Sequence, residues 1–282
     1  MTKIITITSA CLALMLTACS KEQTTQPIQS DVDNTTEHNQ TLRIAAAANL
    51  SDVLPEIIAG YKKDKSLPAQ EIEVTYASSG KLYAQIISGA PYDIFLSANQ
   101  EFPAKLAKEK LDNLKSADKT TYQPFTYTQG QLALYSTTKS LQGLNPTALN
   151  ELLTTGSDSK ITIANPELAP YGQSAQAYLQ AQNIFDTLTE QNRIIQAENI
   201  GQAFQYAHTG NVDYGFVAQS QLTAIKATPE QFYTLAPDSY PAILQDGIVL
   251  SDATAATDFS NYLRAPAGQQ YFSKAGYLVV DR

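Results

Sequence analysis

Twice in its first hundred residues the chain runs from a short apolar segment through a turn of small neutral residues into a helical pattern: Ala45-Ala-Ala-Ala-Asn49-Leu-Ser-Asp52 and Tyr76-Ala-Ser-Ser-Gly80-Lys81. Strands joined to helices in this way belong to a parallel sheet, whose right-handed crossovers place strand ends and helix starts along one edge. Helix N-termini carry unsatisfied N–H groups and a partial positive charge. Asn49, Ser78 and Ser79 at such places are equipped to replace the hydration shell of an oxyanion without any salt bridge. Small polar residues also serve as ordinary N-caps, so either turn alone supports both readings.

The rest of the chain extends the α/β pattern. Strands are expected at 42–47, 71–76 and 93–96, with helices at 51–64, 79–88 and 100–110. A second series follows, with strands at 131–136, 161–164, 193–196 and 214–217 and helices at 147–153, 171–182, 200–208 and 219–225. One more strand at 242–250 precedes helical sequence through Tyr271 and a terminal apolar segment at 276–280. No internal repeat or low-complexity tract interrupts the series. A chain that builds one sheet, builds a second and returns to the first would divide into lobe 1 (41–125 plus 237–282) and lobe 2 (126–236), with a ligand cleft between them. Order alone equally permits two consecutive lobes joined once.

The first 40 residues stand apart. Met1-Thr-Lys3, an apolar stretch over 4–16 and Leu16-Thr-Ala-Cys19 read as a bacterial export signal over 1–19, with Cys19 as the lipidated mature N-terminus of a lipoprotein; the other reading is a conventional signal cut nearby. Residues 20–40 hold only Ile28 and Val32 as aliphatic side chains and form a flexible tether. Cys11 leaves with the signal, so the mature chain has no disulfide and no cysteine metal site. His38 falls in the tether, and His208, near the end of its helix, cannot form a metal cluster alone. Of 19 basic and 27 acidic residues, two and four respectively precede Thr41, which leaves 17 and 23 and a net charge of −6. That balance argues against nucleic acid, and an anion would have to be held by local dipoles.

The run from Leu42 to Gln100, with Ala-Ala-Ala-Asn-Leu-Ser-Asp, Tyr-Ala-Ser-Ser-Gly-Lys-Leu and Gln85-Ile-Ile-Ser-Gly-Ala-Pro-Tyr-Asp-Ile-Phe-Leu-Ser-Ala-Asn-Gln100, resembles the molybdate-binding proteins of bacterial ABC transporters, the ModA family. Ala164-Asn-Pro-Glu-Leu-Ala-Pro-Tyr-Gly-Gln-Ser-Ala175, Ala197-Glu-Asn-Ile-Gly-Gln-Ala203, Val212-Asp-Tyr-Gly-Phe-Val-Ala218 and Tyr262-Leu-Arg-Ala-Pro-Ala-Gly-Gln-Gln-Tyr-Phe272 continue it in register. The resemblance implies a two-lobed α/β periplasmic binding protein (type II). Such a protein captures molybdate, and tungstate, and delivers it to an inner-membrane ABC permease. It implies a monomer, without cofactor or catalytic activity, here anchored through Cys19. Matching the motifs places Asn49, Ser79, Tyr171 and Ile200 at the ligand, with Ala48 and Ser78 beside them, the second-lobe pair through backbone N–H groups. Some relatives have Thr at the position of Ala48, Tyr at that of Ala218 and a small residue at that of Tyr171. The Tyr171 hydroxyl is therefore a second way of contacting the ligand. Without the resemblance, Tyr171 reads as a surface aromatic and Ile200 as a core residue.

Two other chemistries fit parts of the sequence. Ser78-Ser-Gly-Lys81 satisfies Ser-x-x-Lys, in which a lysine activates a nucleophilic serine, but Ser-Asp-Asn and Lys-Thr-Gly are absent from the chain. Another tetrahedral oxyanion, sulfate or phosphate, would use the same kind of site, and Asp52 would be the acceptor for a protonated one; in the first turn of a helix Asp52 otherwise complements the dipole. If Leu16-Thr-Ala-Cys19 is a lipoprotein signal, metabolic labelling with a fatty acid marks the mature protein, and Cys19→Ser abolishes the label. Unacylated wild-type protein confined to the soluble periplasmic fraction would refute it.

Overall fold

The computed structural model describes residues 41–112, 122–155 and 158–280; the signal, Cys19 and the tether lie outside them. Among the described residues the first strands are β1 (Leu42–Ala47), β2 (Ile72–Ala77), β3 (Ile94–Leu96) and β4 (Phe125–Gly130). They are followed by β5 (Leu132–Tyr135), β6 (Ile161–Ala164), β7 (Ile194–Ala197), β8 (Tyr214–Ala218), β9 (Phe232–Thr234) and β10 (Ile243–Val249). The strands form two five-stranded sheets, in the orders β2-β1-β3-β10-β4 and β7-β6-β8-β5-β9. In each, three parallel strands are extended on one side through two antiparallel pairings, so that β10 in the first sheet and β5 in the second run against the other four strands.

Each sheet is covered on both faces. Along β1, Ile44 and Ala46 enter one core and Ala45 the other, the period-two alternation of a strand, and only Arg43 is exposed. The first core packs α1 (Leu54–Asp64), α9 (Thr254–Arg264) and α10 (Pro266–Lys274) through Ile57, Tyr61, Phe259 and Phe272. The opposite core packs α2 (Ser79–Ile87) and α3 (Glu101–Asp112) through Leu82, Phe102 and Leu106. In the second sheet, α4 (Pro146–Thr155), α5 (Pro170–Ala181) and α6 (Phe185–Glu190) cover one face through Leu149, Leu179 and Leu188. On the other, α7 (Ile200–His208) and α8 (Gln219–Ala224) contribute Phe204, Ala207 and Leu222.

The placement of β10 between β3 and β4 shows that the chain does return to its first sheet, so two lobes joined once is excluded. Because β4 pairs with β10, the outward crossing falls between Gly130 and Leu132 rather than at 125/126. β4 was not anticipated although Phe125-Thr-Tyr-Thr128 alternates aromatic and polar residues with the period of a strand; α6 and β9 are six and three residues long, too short to carry a period. The helix expected from 51 begins at Leu54, after a separate 3-10 turn over Ala48–Leu50. Pro266 divides the last helical stretch into α9 and α10. The terminal segment contributes only an isolated bridge, Leu278 to Gln129.

Arg193, just before β7, is almost fully buried, with no carboxylate in an ion pair with it among the described residues. Its guanidinium donates instead to the Leu153 carbonyl (2.6 Å), the Ser159 carbonyl (2.9 Å) and the Ser159 hydroxyl (2.7 Å), closing the C-terminal end of α4. A cation there also opposes the helix dipole favourably. Arg193→Ala leaves those carbonyls buried and unmet, so it is expected to cost about 2–4 kcal/mol and lower the melting temperature by roughly 4–16 °C. Thermal unfolding followed by circular dichroism measures it; Arg193→Lys, which lacks the planar fork, should recover less than half.

Candidate functional site

The two sheets share one connection pattern: β1 lies between its parallel neighbours β2 and β3, as β6 lies between β7 and β8. The connections leave a central strand toward opposite sides, and the crevice at its carboxyl end is where open α/β sheets place ligands. Here two such crevices face each other. Ala48, Asn49, Ser78, Ser79, Tyr171 and Ile200 come together there, all buried, lining one cavity of about 10 Å³. Pockets for organic metabolites span about 300–1,000 Å³, so this space matches only a very small species. Ala98, Pro170 and Asn199 complete part of the wall. Asn199 was legible as a residue at a helix start; its side chain accepts from the Gln202 N–H at 3.0 Å and caps α7.

Three helices begin at the cavity: α2 at Ser79, α5 at Pro170 and α7 at Ile200. N–H groups in a first turn have no intrahelical acceptor, so those of Ser79, Tyr171 and Ile200 bring donors and partial positive charge to one place. Gly172 permits this approach in α5, since a Cβ there would lie 2.1 Å from the Ala164 carbonyl oxygen at the end of β6.

The polar side chains do not act as ordinary caps. Ser78 occupies the N-cap position of α2 but makes no capping bond, and its buried Oγ has no partner among the described residues. Ser79 Oγ accepts the Ala98 N–H at 2.9 Å, which fixes the hydroxyl while leaving its proton to donate. Asn49 sits within the 3-10 turn rather than at a helix cap. Its Nδ2 donates to Gln245 Oε1 and to the Tyr277 hydroxyl, both at 3.0 Å, and the Tyr277 hydroxyl donates to the Asn49 carbonyl at 2.7 Å. Asn49 Oδ1 is buried and unpartnered.

Tyr171 is buried rather than a surface aromatic. Its hydroxyl points away from the helix start and accepts from Gln245 Nε2 at 3.3 Å. Burial pushes the Tyr127, Tyr171 and Tyr277 hydroxyls above the usual tyrosine range, so all three remain protonated at neutral pH. Gln245, Tyr127 and Tyr277 were not anticipated from the sequence; each comes from a strand or segment far from the two turns.

Among the described residues no charged side chain lines the cavity. The lobes close over it through the Gly80 N–H, which donates to the Leu168 carbonyl at 2.8 Å, and through the half-exposed pair Lys81–Glu198 at 2.5 Å. Lys81 thus engages a carboxylate across the cleft, and Ser78 Oγ has no hydrogen-bond partner among the described residues. Asp52 precedes α1 and lies outside the cavity wall, as does Ala218 at the end of β8. His208 ends α7 beside the Tyr135 hydroxyl, stacked on Phe204. No group of three or more His, Cys, Asp or Glu side chains that could hold a metal ion occurs among the described residues.

The profile of the bacterial extracellular solute-binding proteins matches residues 42–278. Molybdate-binding protein ModA of Rhodobacter capsulatus is 31% identical over 266 residues, covering 86% of this chain and 99% of the relative. The chain belongs to the ModA family. A putative ABC transporter substrate-binding lipoprotein of Bacillus subtilis, YvgL, is 28% identical and aligned over 94% of both chains. The structure of the Azotobacter vinelandii periplasmic molybdate-binding protein superposes with a TM-score of 0.73 at 28% identity, covering 85% of this chain and all of the other. The two-sheet architecture of this ModA-family chain is accordingly the two-lobed periplasmic binding protein fold.

Ser78 and Ser79 separate an anion site from plain capping. A capping serine loses about 0.5–2 kcal/mol on replacement by alanine. Because Ser78 makes no capping bond, Ser78→Ala is expected to leave ligand-free stability unchanged or slightly raised in thermal melts. Ser79→Ala, which removes a placed donor, should weaken anion binding by about 1.5–3 kcal/mol, roughly 10- to 150-fold, by calorimetry.

Proposed function

We propose that this ModA-family protein captures molybdate, and with it tungstate, in the periplasm and hands it to the permease of an ABC transporter while a lipid on Cys19 holds it at the membrane. The observation that carries the reading is a buried cavity with no charged wall, at the start of three helices, beside the unpartnered Ser78 hydroxyl. A fully deprotonated tetrahedral dianion needs donors on every side and no acceptor. First-turn N–H groups and the two serine hydroxyls are donors of that kind. Asn49 joins them if its amide and that of Gln245 turn over together: the bond between them survives, the one from Asn49 Nδ2 to the Tyr277 hydroxyl is given up, and Nδ2 takes the place of the unpartnered Oδ1.

The relatives named as molybdate-binding proteins support the choice of anion, and the Bacillus subtilis relative, named as a substrate-binding lipoprotein, supports the anchor. Catalysis is no part of this reading. Sulfate has the same charge and shape with shorter bonds, so discrimination falls to the size of the closed cavity. Phosphate retains a proton near neutral pH and so favours a site with an acceptor, the role left to Asn49 Oδ1 if the amide does not turn.

Molybdate at 100 times its dissociation constant should add about 2.7 kcal/mol, raising the melting temperature by roughly 5–11 °C. Tungstate should do the same, and sulfate and phosphate at equal concentration should not. The chain has no Trp, so calorimetry, melting or tyrosine signals must follow binding. A shift with phosphate or sulfate in place of molybdate would overturn the assignment.

A further inference from the structure

Gln245 stands where the lobes and the cavity meet without lining the cavity itself. It lies on β10, opposite Thr128 of β4, and the register slips between Gln245 and Asp246. Such a bulge re-aims neighbouring side chains and is frequent beside functional sites. Fully buried, Gln245 accepts from Asn49 Nδ2 at 3.0 Å and donates to the Tyr171 hydroxyl at 3.3 Å. The Tyr127 hydroxyl lies 3.0 Å from its Oε1 and 2.8 Å from the Ser97 carbonyl, so one phenolic proton is shared between these two oxygens. Asn49 belongs to lobe 1 and Tyr171 to lobe 2. One amide therefore bridges a cavity residue from each lobe.

Tyr171 reaches that amide because residue 130 has no side chain. A Cβ on Gly130 would lie 2.1 Å from Tyr171 Oη, 2.7 Å from its Cζ and 2.8 Å from Gln245 Nε2. Gly130 is not among the residues of positive φ, so what this position supplies is space. It ends β4, at the crossing between the lobes.

We propose that Gln245 and the slot at Gly130 form a latch that couples lobe closure to the anion cavity, with the Tyr171 ring as its bolt. The inference rests on the anion-binding reading above. Gln245 is a positioning residue: it touches no ligand, and it holds Asn49 and Tyr171 in register when the lobes are together. Opening the cleft withdraws the Tyr171 ring from Gly130 and returns its hydroxyl and the amide to water. The latch thus favours the closed state and adds nothing to the open one.

The test compares Gly130→Ala, Tyr171→Leu and the double variant in the full chain, with ligand-free melting to confirm folding. Release of molybdate is followed by competition with tungstate, and closure by cross-linking of Lys81→Cys to Glu198→Cys, the rim pair, with a short bis-maleimide. Gly130→Ala should release molybdate roughly tenfold faster and slow cross-linking, and both effects should shrink to less than about twofold in the Tyr171→Leu background, where the bolt is gone. Unchanged release and cross-linking in Gly130→Ala, or an equal loss in both backgrounds, would overturn the latch. If the wild type binds no molybdate, the anion assignment fails, and cross-linking alone still decides the latch.

Discussion

Unmet hydrogen-bonding capacity at one buried place is the constraint on which the rest of the molecule depends. The first turns of α2, α5 and α7 deliver N–H groups there, and a buried N–H without a partner costs free energy on the scale of a lost hydrogen bond. Ser78 adds a hydroxyl that neither caps its helix nor meets another group. Such an arrangement persists because two well-packed sheets hold it in place, each with apolar cores on both faces. The lobes supply rigidity, and the site between them retains the polarity.

Charge is kept out of the site and placed at its rim. Lys81 and Glu198 meet across the cleft in a half-exposed position, where an ion pair is worth little in stability but helps to set how the lobes approach. Inside, neutral dipoles act alone. A buried lysine or arginine would bind any anion and would itself require compensation in the absence of one. Helix N-termini and hydroxyls carry a smaller desolvation cost and a fixed direction, so geometry rather than net charge selects the occupant.

Burial in the site and burial at the crossing are linked. Tyr171 contributes a helix-start N–H on one side, while its ring and hydroxyl fill the space beside Gly130 and Gln245 on the other. The Tyr171 N–H thus lies at the α5 start beside the cavity, while its hydroxyl accepts from Gln245 in the interlobe contact.

The sequence by itself determined the α/β alternation and the positions of the strand-to-helix turns, because periodicity and turn chemistry are local. Asn49, Ser78 and Ser79 were readable as candidates from turns of a few residues, whereas Ala48, Tyr171 and Ile200 became candidates only through the resemblance to the ModA family. Tertiary structure alone decided that these six share one cavity, that β4 belongs to the first sheet, and that Ser78 is unpartnered rather than a cap. It also decided the roles of Gln245, Tyr127 and Tyr277, which reach Asn49 or its amide partner from 118 to 228 positions away along the chain. The two sheets repeat one connection pattern without any repeat in sequence, because strand order is fixed by which surfaces can be buried together. Contacts of that range leave no local period, and they become visible only once the chain has closed on itself.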